Sequence, residues 1–211
     1  MSNAPDWAAR LEAFMTERLG ADGSHDIGHF RRVWRSAQAI QAVEGGDLEV
    51  LAAAAWLHDL VNPPKDAPER KRASALSAEA AAPVLQGFGY PGDKIAAVQH
   101  AIVAHSFSAA VPPETLEARI LQDADRLDAI GAIGVARCFY VAGTMGSALF
   151  DADDPEARSR ALDDRRYALD HFTTKLFPIA ETLQTAEGRR LAQQRVATMS
   201  GFVSALLSEI G

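Results

Sequence analysis

Residues Leu51-Ala52-Ala53-Ala54-Ala55-Trp56-Leu57 are apolar on every face of a helix, and they run straight into His58-Asp59. A helix that is apolar all round belongs in a core. The stretch 51–61 is therefore expected to be a buried helix that ends in an imidazole beside a carboxylate. Pro63 and Pro64 stop any helix there, so Asp59 meets the negative end of the helix dipole. A buried carboxylate needs a positive partner, and a neutral imidazole next to it is a metal-ligand type. A salt-bridged aspartate beside a hydrogen-bonded core histidine would satisfy the dipeptide as well, so the decision rests on the remaining chain.

At 211 residues the chain can bury one full core, and no Pro/Gly/Ser-rich linker divides it. The net charge of −7 argues against a nucleic-acid grip, which wants a basic surface. It leaves room for an anionic small molecule in a locally positive pocket. The single cysteine, Cys138, rules out an internal disulfide and fits an apolar helix interior. The first residues, Met-Ser-Asn-Ala-Pro-Asp, have no basic start or apolar run of a signal peptide. No stretch approaches a membrane span, and a soluble cytoplasmic protein is expected.

Apolar residues recur at helical spacing along most of the sequence. Trp7, Leu11, Phe14, Met15 and Leu19 mark a first helix; Phe30, Val33, Trp34, Ala37 and Ile40 mark a second, capped by Ser24 or Asp26. Asp47 caps the buried helix, and a proline-stiffened loop carrying Lys65 follows. Helices are expected over 69–86, bent at Pro83, over 93–105, and over 114–140 with an interruption around Gly131 and Gly134. A loop over 143–155 precedes the last helices, the final one at 187–210. Alternating runs and hairpin signals are missing. The expected fold is all-α, a single-domain irregular helical bundle over 1–211, with a metal-binding core at about 24–130 and C-terminal helices at 157–210 packing on it.

Further polar residues sit where apolar stripes should continue. His29 lies four residues before Val33, on the inward side of the second helix. In Ile120-Leu-Gln-Asp-Ala-Asp125-Arg-Leu-Asp128 the face through Leu121 and Ala124 also carries Asp125 and Asp128, and two inward carboxylates one turn apart need compensation. His100 and His105 lie about a turn apart in the fifth helix. Two histidines and two aspartates from three helices make an N₂O₂ set that leaves coordination positions open.

His29, His58-Asp59 and Asp125, in that order on helices, resemble the HD-domain superfamily of metal-dependent phosphohydrolases. The likeness extends to Ser24-His-Asp-Ile-Gly-His29-Phe-Arg-Arg32-Val, Ala104-His105-Ser-Phe-Ser and Gln122-Asp-Ala-Asp125-Arg-Leu-Asp128-Ala. Those phrases are similar to the small bacterial single-domain branch, some of whose members resemble nucleotide pyrophosphohydrolases. The resemblance implies His29, His58, Asp59 and Asp125 as ligands of one divalent ion (Mn, Mg, Co, Ni, Fe or Zn), with a second ion an open alternative. Adjacent residues point about 100° apart on a helix, so one ion can take His58 and Asp59 only from beyond the helix edge.

A metal-bound water and a neutralised phosphoryl group are what such an ion provides, and phosphoryl transfer asks for cations nearby. Asp59, His105 and Asp128 are the candidate catalytic groups: a ligand, a general acid or further ligand, and a partner orienting a ligand or water. Lys65, Arg126, His25 and His100 are the candidate substrate contacts. Alternatively, Arg126 is salt-bridged to Asp123 or Glu117. Branches of the superfamily that cleave nucleoside monophosphates have an acid just after the HD pair; here Leu60-Val61-Asn62 follows, with no acid until Asp66. That departure shifts weight to a di- or triphosphate. The competing readings are a dinuclear-iron oxygenase, for which His100 and His105 would supply extra ligands, and a non-catalytic nucleotide-binding regulator.

Overall fold

The computed structural model describes residues 6–19, 26–63 and 67–211. Its helices follow in the order α1 (Trp7–Arg18), α2 (Ile27–Glu44), α3 (Leu48–Leu57), α4 (Ala73–Gly87), α5 (Ile95–His105), α6 (Leu116–Asp128), α7 (Gly131–Met145), α8 (Phe177–Ala180) and α9 (Ala186–Ile210). Among the described residues there is no strand, only an isolated parallel bridge between Ala148 and Tyr167. The fold is all-α. No single helix among the described residues is long and apolar enough to cross a membrane.

The chain divides into two compact units, 1–125 and 126–211, with the boundary inside α6. In the first, α3 is the central element. Every residue from Val50 to Leu57 is buried, and α1, α2 and α5 all pack on it. This is why the helix tolerates no polar face. Phe30 of α2 stacks on Trp56 with ring centroids 6.3 Å apart, and Trp7 of α1 meets Tyr90 edge-on at 5.0 Å. Burying side chains of this size stabilises by about 1.5–3 kcal/mol each.

The helix starts obey local capping chemistry. Asp26 accepts from the His29 backbone N–H at 3.1 Å, which fixes the first turn of α2 at a histidine. Asp47 accepts from the N–H groups of Glu49 (2.9 Å) and Val50 (3.3 Å) at the start of α3. Lys94, just before α5, lies 2.7 Å from both Asp47 and Glu49 and ties the two helix starts together. α4 begins later than its Ala-rich composition implies. Pro68–Arg72 forms a 3₁₀ turn instead, in which Arg70 donates to the Pro63 carbonyl at 3.0 Å and to the Asn62 side chain. α4 then runs unbroken through Pro83.

In the second unit α7 packs on α9, and Phe172 stacks on Phe202 at 5.9 Å. The interruption expected around Gly131 and Gly134 falls at residues 129–130. Gly131 opens α7 with φ +77, and a Cβ on Gly134 would meet the Ala129 carbonyl oxygen at 2.4 Å.

The C-terminal helical region does not begin at 157 as expected. Residues 146–169 are irregular, and a π-helical turn at Phe172–Leu176 leads into α8. Here side chains take the backbone groups that a helix would use. Asp154 accepts from the N–H groups of Arg158 and Ser159, and Asp163 from those of Arg165 and Arg166. Arg160 makes a bidentate pair with buried Asp170 at 2.6 and 2.9 Å. Burial alone would raise the Asp170 carboxyl; the guanidinium beside it wins and holds it below the usual carboxylate range.

Asp47→Ala removes the cap of the central helix. Urea denaturation is expected to show a loss of about 1–2 kcal/mol, and an unchanged midpoint would contradict the role given to that cap.

Candidate metal centre

The C-terminal end of α3 delivers the centre. The α-helix stops at Leu57, and His58 is its C-cap residue at φ −60, ψ −34, so His58 and Asp59 sit in the turn beyond. His58 is fully buried, and its Nδ1 lies 2.8 Å from the Ala55 carbonyl oxygen. A carbonyl only accepts, so the proton is on Nδ1 and the Nε2 lone pair faces the other way. Burial pushes the His58 imidazole down to about 4, despite the neighbouring Asp59 that favours its charged form. It is neutral at physiological pH.

That lone pair points into a knot of donors. His58 Nε2 is 3.1 Å from His29 Nε2, 3.9 Å from Asp125 Oδ1 and 3.8 Å from Asp59 Oδ2. His29 Nε2 is 3.6 Å from Asp125 Oδ1. Donors sharing an ion at ~2.1 Å sit roughly 3.0–3.5 Å from one another in octahedral or tetrahedral geometry, close to this spacing. His29, His58 and Asp125 form one group whose ligand atoms all lie within 4.8 Å of one another; His58, Asp59 and His105 form another. His58 is common to both groups, and a convergence of unprotonated nitrogen with carboxylate oxygen calls for a cation.

His105 repeats the arrangement of His58. It lies in the last turn of α5, and its Nδ1 is 2.5 Å from the Ile102 carbonyl oxygen. Its Nε2 is 3.8 Å from Asp59 Oδ1, and its ring is edge-on to His58 at 4.9 Å. Gln122 of α6 donates to the Ala104 carbonyl at 2.7 Å and so pins the end of α5. The common device is a histidine in the last turn or at the cap of a helix, where carbonyls lack intrahelical partners and one of them orients the ring.

Residues 26–130 match the HD domain family. The chain is 34% identical over 190 residues to the uncharacterized protein YpgQ of Bacillus subtilis, covering 88% of this chain and 84% of that protein. The chain belongs to the HD-domain superfamily. The crystal structure of YpgQ in complex with ADP is similar to it with a TM-score of 0.76 at 31% identity, over 96% of this chain and 94% of that one. An HD-superfamily hydrolase from Bacillus thuringiensis is similar with a TM-score of 0.75 at 28% identity, over 96% and 95%. HD domains hold divalent metal ions, and two His/Asp groups here, His29–His58–Asp125 and His58–Asp59–His105, are positioned for metal binding.

The HD centre gathers five of the residues singled out in the sequence: His29, His58, Asp59, His105 and Asp125. His100 is not among them; its Nε2 accepts from the Glu114 N–H at 3.1 Å, a loop-fastening contact that its spacing from His105 does not reveal. Asp128 is buried and faces Arg137 at 3.4 Å, and it too is outside both groups. Arg126 donates to the Thr182 carbonyl at 2.6 Å, while Glu117, one of its expected partners, accepts from the Asp47 N–H at 2.8 Å. Lys65 and His25 lie outside the described residues.

His58→Ala is expected to drop bound manganese from about one ion per chain to near zero, read by elemental analysis after dialysis, with helical circular dichroism retained. Full metal content in that variant would contradict the ligand set.

Proposed function

We propose that this chain is a metal-dependent phosphohydrolase acting on a phosphoanhydride of a nucleotide, in its narrowest form a nucleoside triphosphate pyrophosphohydrolase. The observation that carries the reading is the convergence of two imidazoles and two carboxylates at the end of α3, with His58 held in the metal-binding tautomer. In this reading the whole chain works as one HD-type unit; its solved relatives match more than nine-tenths of its length.

A divalent ion held by His29, His58, Asp59 and Asp125 would supply an acidified water and draw charge from the phosphorus centre. The chain's own residues do the rest. Asp59 has one oxygen toward His58 and the other toward His105, so it can hold a ligating position and orient the His105 ring together. His105 has its Nδ1 proton committed to Ile102, which leaves Nε2 to take up a proton and deliver it to a leaving oxygen. The cationic turn Arg70-Lys71-Arg72 follows the HD loop, and Lys71 is exposed; it offers charge for the outer phosphates. Lys65 is proposed as a further phosphate contact. Asp128 and Arg126 are left with structural roles.

Two features favour more than one phosphate. No acid occurs in Leu60-Val61-Asn62 directly after the HD pair, where a water-positioning carboxylate would serve a monophosphate. The relative YpgQ has been crystallised with ADP, which supports a nucleotide as the ligand class. A second reading keeps two ions at the centre, because His58, Asp59 and His105 form a group of their own. In that form the chain would be a dinuclear-iron oxygenase, and two irons per chain with oxygen-dependent turnover would favour it.

The test is a screen of nucleoside mono-, di- and triphosphates with Mn, Mg, Co and Ni, reading orthophosphate and pyrophosphate separately. Pyrophosphate release from triphosphates is expected. Saturable nucleotide binding with no product under any metal would instead identify a non-catalytic regulator.

A further inference from the structure

The residues that follow His105 leave an aromatic ring in solvent. Phe107 is 87% exposed, more than any other large hydrophobic side chain among the described residues, and no described ring or cation stacks on it. Isolated exposed apolar residues are ordinary, but this one is held in place. It opens the 3₁₀ turn Phe107–Ala109. The Ser106 and Ser108 hydroxyls bond across that turn at 3.0 Å. Ala110 closes it in the left-handed region at φ 52, a conformation a non-glycine residue keeps only when its surroundings impose it.

The turn also sits beside charge. It packs against the 3₁₀ turn Pro68–Arg72, which carries Arg70, Lys71 and Arg72. Both turns issue from the HD centre: one follows the loop after His58-Asp59, the other follows His105, whose Nε2 is 3.8 Å from Asp59. Two residues of chain reach at most about 7 Å, so Phe107 cannot lie far from His105. An exposed ring on a turn that packs against a cation-bearing one, two residues from a centre read as phosphate-processing, suits an aromatic heterocycle joined to a chain of phosphates.

We propose that Phe107 is the base platform of the substrate site, a binding residue on which the nucleobase stacks while the phosphates occupy the HD centre. The proposal rests on the nucleotide reading above. Every base has a π-face, so stacking of this kind is sequence-tolerant, and the site takes purine and pyrimidine nucleotides alike.

The experiment compares steady-state kinetics of the metal-loaded wild type, Phe107→Ala and Phe107→Trp on a nucleoside triphosphate and on inorganic tripolyphosphate. The two substrates offer the same anhydride with and without a base. Phe107→Ala is expected to raise KM for the nucleotide by roughly 5- to 100-fold, the range that base–aromatic stacking covers. The nucleotide-over-tripolyphosphate ratio of kcat/KM falls with it, and Phe107→Trp restores both. An unchanged ratio in Phe107→Ala overturns the proposal, as does a change in sedimentation mass that shows the ring to be a contact between copies. Wild type that hydrolyses tripolyphosphate and no nucleotide refutes the nucleotide reading itself, and the base platform with it.

Discussion

A neutral imidazole buried at the end of an apolar helix governs this molecule. His58 donates its Nδ1–H to the Ala55 carbonyl, and that one hydrogen bond aims an unprotonated nitrogen at His29, Asp59 and Asp125. The helix behind it must be apolar on all sides because α1, α2 and α5 close around it. Two of these neighbours contribute to the centre, His29 from the first turn of α2 and His105 from the last turn of α5, and Asp125 comes from α6. The packing that makes α3 a core helix is therefore the same packing that brings His29 and His105 to His58.

The placement of those ligands follows a common rule of helix termini. Polar backbone groups at helix ends lack intrahelical partners, and the fold uses them to orient side chains. His58 and His105 each bond a carbonyl three residues earlier. His29 sits where the Asp26 cap fixes the first turn. A centre built on helix ends has rigid supports, which suits an ion that keeps positions for water and a phosphoryl oxygen.

Much of this was legible in the residues. The all-apolar run ending in His58-Asp59, the inward His29 and the inward Asp125 mark one pattern, and the caps at Asp26 and Asp47 follow from residue type. What escaped the sequence depends on tertiary partners. His100 has the spacing of a companion to His105, yet its ring accepts from the Glu114 backbone. Asp128 shares a stripe with Asp125 but faces Arg137. Residues 157–171 contain good helix formers, but Asp154, Asp163 and the Arg160–Asp170 pair take up backbone and charge in ways that periodicity does not register. The rim around the centre was hidden for the same reason, since a 3₁₀ turn and a left-handed alanine are set by neighbours.

The shared ion can be located directly. Crystals grown with manganese and measured on both sides of its absorption edge are expected to show an anomalous peak about 2.0–2.3 Å from His29 Nε2, His58 Nε2 and the carboxylates of Asp59 and Asp125. A well-ordered crystal with no peak there, or with manganese bound elsewhere and the two imidazoles hydrogen-bonded only to each other, would contradict the metal centre on which the functional reading stands.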